Sequence, residues 1–556
     1  MGNFKLPATL VLFLAWVSHS TLQNVIPPEL EEQIDTFVVQ MMEKQHIPGL
    51  ALSLVRSTGD LHFTKGYGLR DLENNLPADN NTLFAIGSAS KSFAGVIIAK
   101  KLNELFPALG ESVLDVPIRE LAPTYDFTLV DRYRSERVTF RDLLAHRVDI
   151  MAEMSGMLAQ AYDTVDEMFF RYRYAPESEP FRTTFHYNNG LIAMASHILA
   201  HMANTTYENL LGEFLTDAGM MDTTWIKPTD DHNNMMFRAV PYIWKDENHT
   251  RYNPELLKSV SFILASGAIL TSANDFTKYM LLHLNKGKVG DRQVVPEEVM
   301  GWLTKVSSST YDAITKTPED PDALVEVSVG YRICLYLGVY NGWVRVGHTG
   351  YIPPYITMFY LYPDLGLGMF ASLTGPGPGG FELEGFTSAI FNMVTGSPVK
   401  TGNLPKIDYH SMFNGFPTFD IRRNANTRSL EWAETNAVNI SLEQAVGTYG
   451  SGFNGEINLS IRTNENGNPQ LYWKYGKMGE AWLIQVSPST FLLSKWGSDL
   501  WMVYWATGAG FGTLQLTFLD LNTIRQKELG QQLTTEFIRG EKLDDLPLIP
   551  WQPDSC

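Results

Sequence analysis

The chain has 556 residues, 44% hydrophobic and 19% charged, which is the make-up of a globular protein with room for two or three domains and a large core. A formal net charge of −18 argues against a nucleic-acid partner, and the acidic residues are dispersed, with no EF-hand loop. Two cysteines, Cys334 and Cys556, exclude a disulfide framework.

In chain order, residues 6–17 (LPATLVLFLAWV) follow a single lysine and precede Ser18-His19-Ser20. That pattern is expected to be a secretory signal over residues 1–20, with the mature chain beginning near Thr21. The apolar run is too short to span a bilayer, and no other stretch is long enough. A secreted, extracellular protein without a membrane span is therefore expected. In that setting the N-x-S/T sequons at Asn80, Asn204, Asn248, Asn439 and Asn458 are glycosylation candidates. Secretion also permits a Cys334–Cys556 bond, although the apolar run around Cys334 suits a buried free thiol equally well.

Residues 28–46 read as an amphipathic helix, and 49–57 and 61–68 as strands split by Thr58-Gly59-Asp60. Helical patterns dominate from about 92 to 225, and strand patterns return over 325–374, followed by a helical pattern at 381–394. One sheet built from both ends, with helices packed on it, fits this order and sets a first domain at 28–394. Residues 395–440 hold a Gly- and Pro-containing linker. From 441 to 545 short aromatic-rich strands at regular spacing (456–463, 470–476, 481–487, 491–496, 501–508, 514–521) predict a small barrel or sandwich with an accessory or packing role.

The chemistry gathers at 84-FAIGSASKSFAG-95. If a helix starts at Ser88, Ser88 and Lys91 share a face, whereas Ser90 and Lys91 diverge by about 100°. Ser88 is then the candidate nucleophile and Ser90 a capping or packing residue. Lys91 serves as base only if burial and the helix terminus hold it neutral part of the time. The same spelling at 397-SPVK-400 lies in the linker and is read as chance. Tyr187-x-Asn189 precedes an apolar helical run. A tyrosine with positive neighbours has a lowered pKa and can act as a general base, and Asn189 can hold a substrate amide. Tyr207-x-Asn209 lies inside a helical run and is set aside. Finally, 343-WVRVGHTGYIPPY-355 reads as a strand ending in His348-Thr349-Gly350, where a cation or neutral donor lets a substrate lie along the strand edge. The linker's 400-KTG-402 lacks any strand pattern. His146 reads as structural; His186 either tunes Tyr187 or faces the core.

These three elements, in this order, resemble the serine β-lactamase-like family: class C β-lactamases, penicillin-binding proteins, D-amino-acid peptidases and related esterases. The likeness includes 48-PGLALSLV-55, 82-TLFAIGSASKSF-93, 143-LLAH-146, 187-YNNG-190, 264-LASGAILTSANDF-276 and 346-VGHTG-350. It implies an α/β (α+β) fold, an antiparallel sheet flanked by helices plus an all-helical region. The tail resembles the lipocalin-like β-domain appended to such hydrolases. It implies that Ser88 forms an acyl-enzyme, that Lys91 and Tyr187 share proton transfer, and that backbone N–H groups of Ser88 and Tyr351 form an oxyanion hole. Asn189, His348, Thr349, Gly350 and Tyr351 would contact a small-molecule or peptide substrate, with no metal or cofactor. His348 stands where many members carry lysine.

Departures bear on substrate class. After 143-LLAH-146 stands Arg147-Val148-Asp149 in place of Thr-Ser-Gly, and Pro353-Pro354 follows His-Thr-Gly-Tyr-Ile. Residues 151–174 form an extra Met- and aromatic-rich segment, read as an amphipathic packing helix, with a reshaped cleft as the alternative reading. A second reading is a secreted matrix protein that keeps the hydrolase fold without turnover. The mollusc shell-matrix gigasins include a member similar to this family, and extracellular matrix association belongs to that reading.

Overall fold

The computed structural model describes residues 24–152, 155–229, 231, 235–245, 247–310, 326–352, 354–375, 383–396, 438–497, 514–528 and 534–551. The expected signal segment, nearly all of the linker, the 501–508 strand and Cys556 lie outside the described residues.

Eight antiparallel strands form the main sheet, in the order Glu326–Tyr331, Tyr336–Tyr340, Trp343–Ile352, Tyr355–Tyr362, Leu367–Leu373, Gly49–Arg56, His62–Asp71 and Leu76–Pro77. Sequence-distant strands meet where Gly49–Arg56 pairs with Leu367–Leu373. Successive side chains of a strand face opposite ways, so a strand covered on both faces reads as a continuous apolar run. In GLALSLVR, Leu50, Leu52 and Leu54 join one core, with Ile34, Val38 and Met42 of the helix Pro28–Gln45 and Phe386 and Ile390 of the helix Leu383–Thr395. Ala51 and Val55 join the other core, with the helices Ser90–Leu105 and Ala273–Leu284. Here the Phe276 ring stacks on Phe370 at 4.0 Å. The helical region, including Asn189–Met202 and Tyr207–Asp217, continues this second layer.

The expected amphipathic helix across 151–174 is broken. It consists of Ser155–Leu158, Val165–Arg171 and a 3₁₀ turn at Tyr172–Tyr174.

The C-terminal strands close an eight-stranded barrel running from Gly447–Ser451 to Thr534–Arg539. Its buried side chains include Tyr449, Leu459, Trp473, Phe491, Phe518 and Phe537. Three strands escaped a reading built on aromatic-rich runs: Gly447–Ser451, Thr523–Glu528 and Thr534–Arg539. In the last two only Ile524 and Phe537 are buried hydrophobics, so the outward polar residues mask the period of two. No described helix is long and apolar enough to cross a membrane.

Candidate active site

Ser88 does not begin the α-helix. It sits on a 3₁₀ turn, Gly87–Ala89, and the helix follows from Ser90. Gly87 has φ +49°, and a Cβ there would stand 2.7 Å from the Tyr351 nitrogen. A Cβ on Gly350 would stand 1.9 Å from the Ile86 carbonyl oxygen. Two glycines therefore let the strand Trp343–Ile352 lie against the serine turn, which only side-chain-free backbone permits. Ser90 is a packing residue, since its hydroxyl accepts the Ile269 N–H at 3.2 Å.

Lys91 lies one helical turn behind Ser88 and is fully buried, while Ser88 remains partly exposed. Its Nζ is 2.9 Å from Ser88 Oγ, 2.6 Å from Asn189 Oδ1 and 2.8 Å from the Ser266 carbonyl oxygen. Asn189 and Ser266 can only accept at those atoms, so they hold two N–H bonds. A neutral amine then turns its lone pair toward the Ser88 hydroxyl. Burial supplies that state by lowering the Lys91 pKa from 10.5 to about 7.

Tyr187 donates its hydroxyl to Ser88 Oγ at 2.8 Å, and its ring lies 4.7 Å from Lys91 Nζ. The expected lowering of its pKa is not found. Burial lifts the phenol well above its usual value, and the bond to Ser88 offsets this only in part. Tyr187 thus donates its proton toward Ser88 Oγ, and Lys91 is the group whose nitrogen lies in place to take the Ser88 proton.

Asn188, between the two residues singled out, builds the corner. It is fully buried, and its Oδ1 caps the helix Asn189–Met202 by accepting the Leu191 N–H at 3.1 Å. Its own N–H donates to His146 Nδ1 at 3.1 Å, and the His146 ring lies 4.5 Å from that of Tyr187. His146 is a neutral wall of the pocket, its pKa pushed well below normal by burial and then by Lys91. His186 is half-buried, and burial lowers its pKa. Its N–H donates to the His146 carbonyl.

His348 is 2% exposed, and burial followed by the Lys91 charge lowers its pKa to about 3. Its Nδ1 lies 2.5 Å from the Thr349 carbonyl oxygen, which can only accept, so Nδ1 carries the proton. Nε2 then accepts the Tyr331 hydroxyl at 3.1 Å. Of the two options left open by sequence, cation or neutral donor, the imidazole is neutral and its N–H is already used. Thr349 and Tyr351 are partly exposed and Gly350 is buried, and the backbones of Gly350 and Tyr351 lie against the serine turn.

Sequence reasoning gave no role to Ser266, Asn188 or Tyr331. Ser266 was visible only as part of 264-LASGAIL-270, because a carbonyl ligand carries no side-chain signature. The departure Arg147-Val148-Asp149 ties down the chain beyond it. Arg147 and Arg182 both pair with buried Asp142, at 2.6 and 2.7 Å, and Asp149 accepts the Thr183 N–H at 3.1 Å and the Thr184 hydroxyl. Cys334 is a free buried thiol, raised to about 12 by burial. Asn204, Asn248, Asn439 and Asn458 are exposed and Asn80 is half-buried. No group of three or more metal-ligating side chains occurs among the described residues.

Comparison with known proteins bears on the family and the fold. The beta-lactamase family model matches residues 34–389. An unguisins hydrolase of Aspergillus campestris is 26% identical over 349 residues, covering 61% of this chain and 60% of that protein. Gigasin-6 of Magallana gigas is 25% identical over 265 residues, covering 47% of this chain and 85% of that protein. The chain spans 60% and 45% of the two fungal unguisins hydrolases it matches. In fold, it is similar to an octameric penicillin-binding protein homologue from Pyrococcus abyssi, with a TM-score of 0.51 at 17% identity over 91% of this chain and 99% of that one. A class C beta-lactamase mutant gives a TM-score of 0.50 at 14% identity, over 66% and 98%. A family model that covers more than half of the chain, and encloses Ser88, Lys91 and Tyr187, settles the assignment: this chain belongs to the beta-lactamase family.

Proposed function

We propose that the protein is a secreted serine hydrolase that works through an acyl-enzyme on small esters, amides or D-amino-acid peptides. The observation that carries this reading is the lysine near neutrality at 2.9 Å from a partly exposed serine that also receives a tyrosine hydroxyl at 2.8 Å. Ser88 Oγ attacks the substrate carbonyl and its proton passes to Lys91. The oxyanion faces the backbone N–H groups of Ser88 and Tyr351. The proton then moves from Lys91 through Tyr187 to the leaving group, and water repeats the sequence to release the acyl group. The hydrolase names of two relatives support this reading. The neutral His348 brings no positive charge to a substrate carboxylate, which favours uncharged esters and amides. The closed C-terminal barrel fits a lipocalin-like accessory domain.

The test is hydrolysis of p-nitrophenyl acyl esters and of D-alanine p-nitroanilide by the full chain and by Ser88→Ala. Turnover that disappears in the variant is expected. A second reading, an extracellular matrix protein without turnover, is favoured by the likeness to gigasin-6. A folded protein with no turnover, recovered from insoluble extracellular material, would replace the first reading with the second.

A further inference from the structure

The broken segment 151–174 touches both the barrel and the catalytic corner. On the barrel side, the Phe453 carbonyl accepts the Tyr162 hydroxyl at 3.0 Å, and the Gly452 carbonyl accepts Arg171 Nη1 at 2.9 Å. The N–H groups of Lys477 and Met478 both donate to the Ala159 carbonyl, at 2.9 and 3.0 Å. The fit is tight: a Cβ on Gly476 would stand 2.3 Å from that same oxygen, and one on Gly452 2.8 Å from the Tyr174 ring.

Tyr172 joins the two sides. It is fully buried, and the Phe453 ring from the barrel stands edge-on to it at 5.3 Å. Its hydroxyl donates to Asn188 Oδ1 at 3.2 Å. That hydroxyl lies only 1.7 Å from where a Cβ on Gly190 would be, so glycine is required there. Asn188 also donates Nδ2–H to the Met151 carbonyl at 3.2 Å. Apart from its own helix, then, the Asn188 side chain is held by residues 151 and 172 of the segment that seats the barrel. Tyr187 and Asn189, on either side of it, hold Ser88 and Lys91.

We propose that the barrel is a working part of the acyl-transfer site: its 452–454 loop, acting through the positioning residue Tyr172, fixes the Tyr187–Asn189 corner against Ser88 and Lys91. This rests on the serine-hydrolase reading. The corner is a short stretch whose Asn188 amide is satisfied by side chains and carbonyls rather than by a strand ladder. Without the Tyr172 hydroxyl and the Phe453 edge, Asn188 keeps its helix cap and its bond to the Met151 carbonyl but loses the brace that comes from the barrel side. Small displacements of a proton-transfer group cost rate far more than stability.

The experiment measures phosphonylation of Ser88 by a fluorophosphonate in the full chain, resolving the maximal rate constant from the half-saturating concentration. It compares wild type, Tyr172→Phe, Phe453→Ala and the double variant, with Phe453→Leu as the milder substitute should Phe453→Ala fail to fold. Each single change is expected to lower the maximal rate on the order of tenfold, with the half-saturating concentration unchanged. The double variant should lose no more than the worse single variant, because the two residues lie on one path. Wild-type rates in both single variants, or additive losses that track the melting temperature, would overturn the inference alone. A wild-type protein that never takes the probe would overturn the hydrolase reading and this inference with it.

Discussion

The two domains bury very different things. The barrel interior is aromatic and aliphatic, and even its buried Gln526 is spent on a bond to Trp473 Nε1 at 3.3 Å. The hydrolase domain buries Lys91, Asn188, His146 and His348 within one neighbourhood, and His146 Nε2 has no partner among the described residues. Burying polar groups is costly unless they are paired, and here burial among neutral acceptors lowers the lysine pKa to about 7. The contrast separates an interior that holds a fold together from one that holds a reaction together. Substitutions in the first should cost stability; substitutions in the second should cost rate.

The largest effect expected is at Ser88. Ser88→Ala should abolish phosphonylation and ester turnover while the protein stays folded, at a cost of about 1–3 kcal/mol for the Tyr187 hydroxyl left without its acceptor. Calorimetry beside the labelling assay checks both halves. Lys91→Met should lower acylation by roughly a thousandfold or more. It should also reveal the charge balance in stability. The folded-state pKa of Lys91 lies below its ordinary value, so between about 7 and 10.5 the unfolded chain binds more protons than the folded one. The stability of wild type relative to Lys91→Met should therefore rise with pH across that window and be flat below it. Denaturant titrations at several pH values measure this difference. A difference that stays flat or falls across that window would mean that Lys91 stays charged.

In the barrel, Trp473→Ala should cost about 3–5 kcal/mol of stability, read from denaturant midpoints, as expected when a fully buried aromatic is removed. Smaller still, Gly190→Ala forces a methyl against the Tyr172 hydroxyl and should cost about 1–3 kcal/mol. It should also slow acylation, placing it on the catalytic side of the contrast. At the bottom of the scale, the exposed Lys477–Asp163 pair at 3.3 Å joins the domains, and Lys477→Met should cost no more than about 1 kcal/mol.

What the sequence revealed follows the same division. Ser88 and Lys91 are three residues apart, and the meeting of their side chains follows from local geometry, whether the turn is 3₁₀ or α. Tyr187 and His348 were legible through their motifs and the elements around them. Their electrostatics were not: the direction of the Tyr187 shift depends on burial by chain far away in sequence, and so does the neutrality of His348. The Ser266 carbonyl, the Asn188 brace and the Tyr172 hydroxyl are contacts between distant segments and leave no pattern of their own. The segment 151–174 shows the limit most clearly. Its apolar content suits one packing helix, but the run is interrupted where the Ala159 carbonyl accepts N–H groups of the barrel and Thr164 caps a new helix. The polar barrel strands were hidden because one inward residue in several is too sparse to read as alternation.

The most direct test of the account is the pH dependence of Ser88 phosphonylation in the full chain, with the adduct mapped by mass spectrometry. With Lys91 as the base and the Tyr187 phenol protonated throughout, the rate should rise with pH through a single midpoint near the Lys91 value of about 7 and then level off. A rate independent of pH through that range, or no adduct on Ser88 in folded protein, would contradict it.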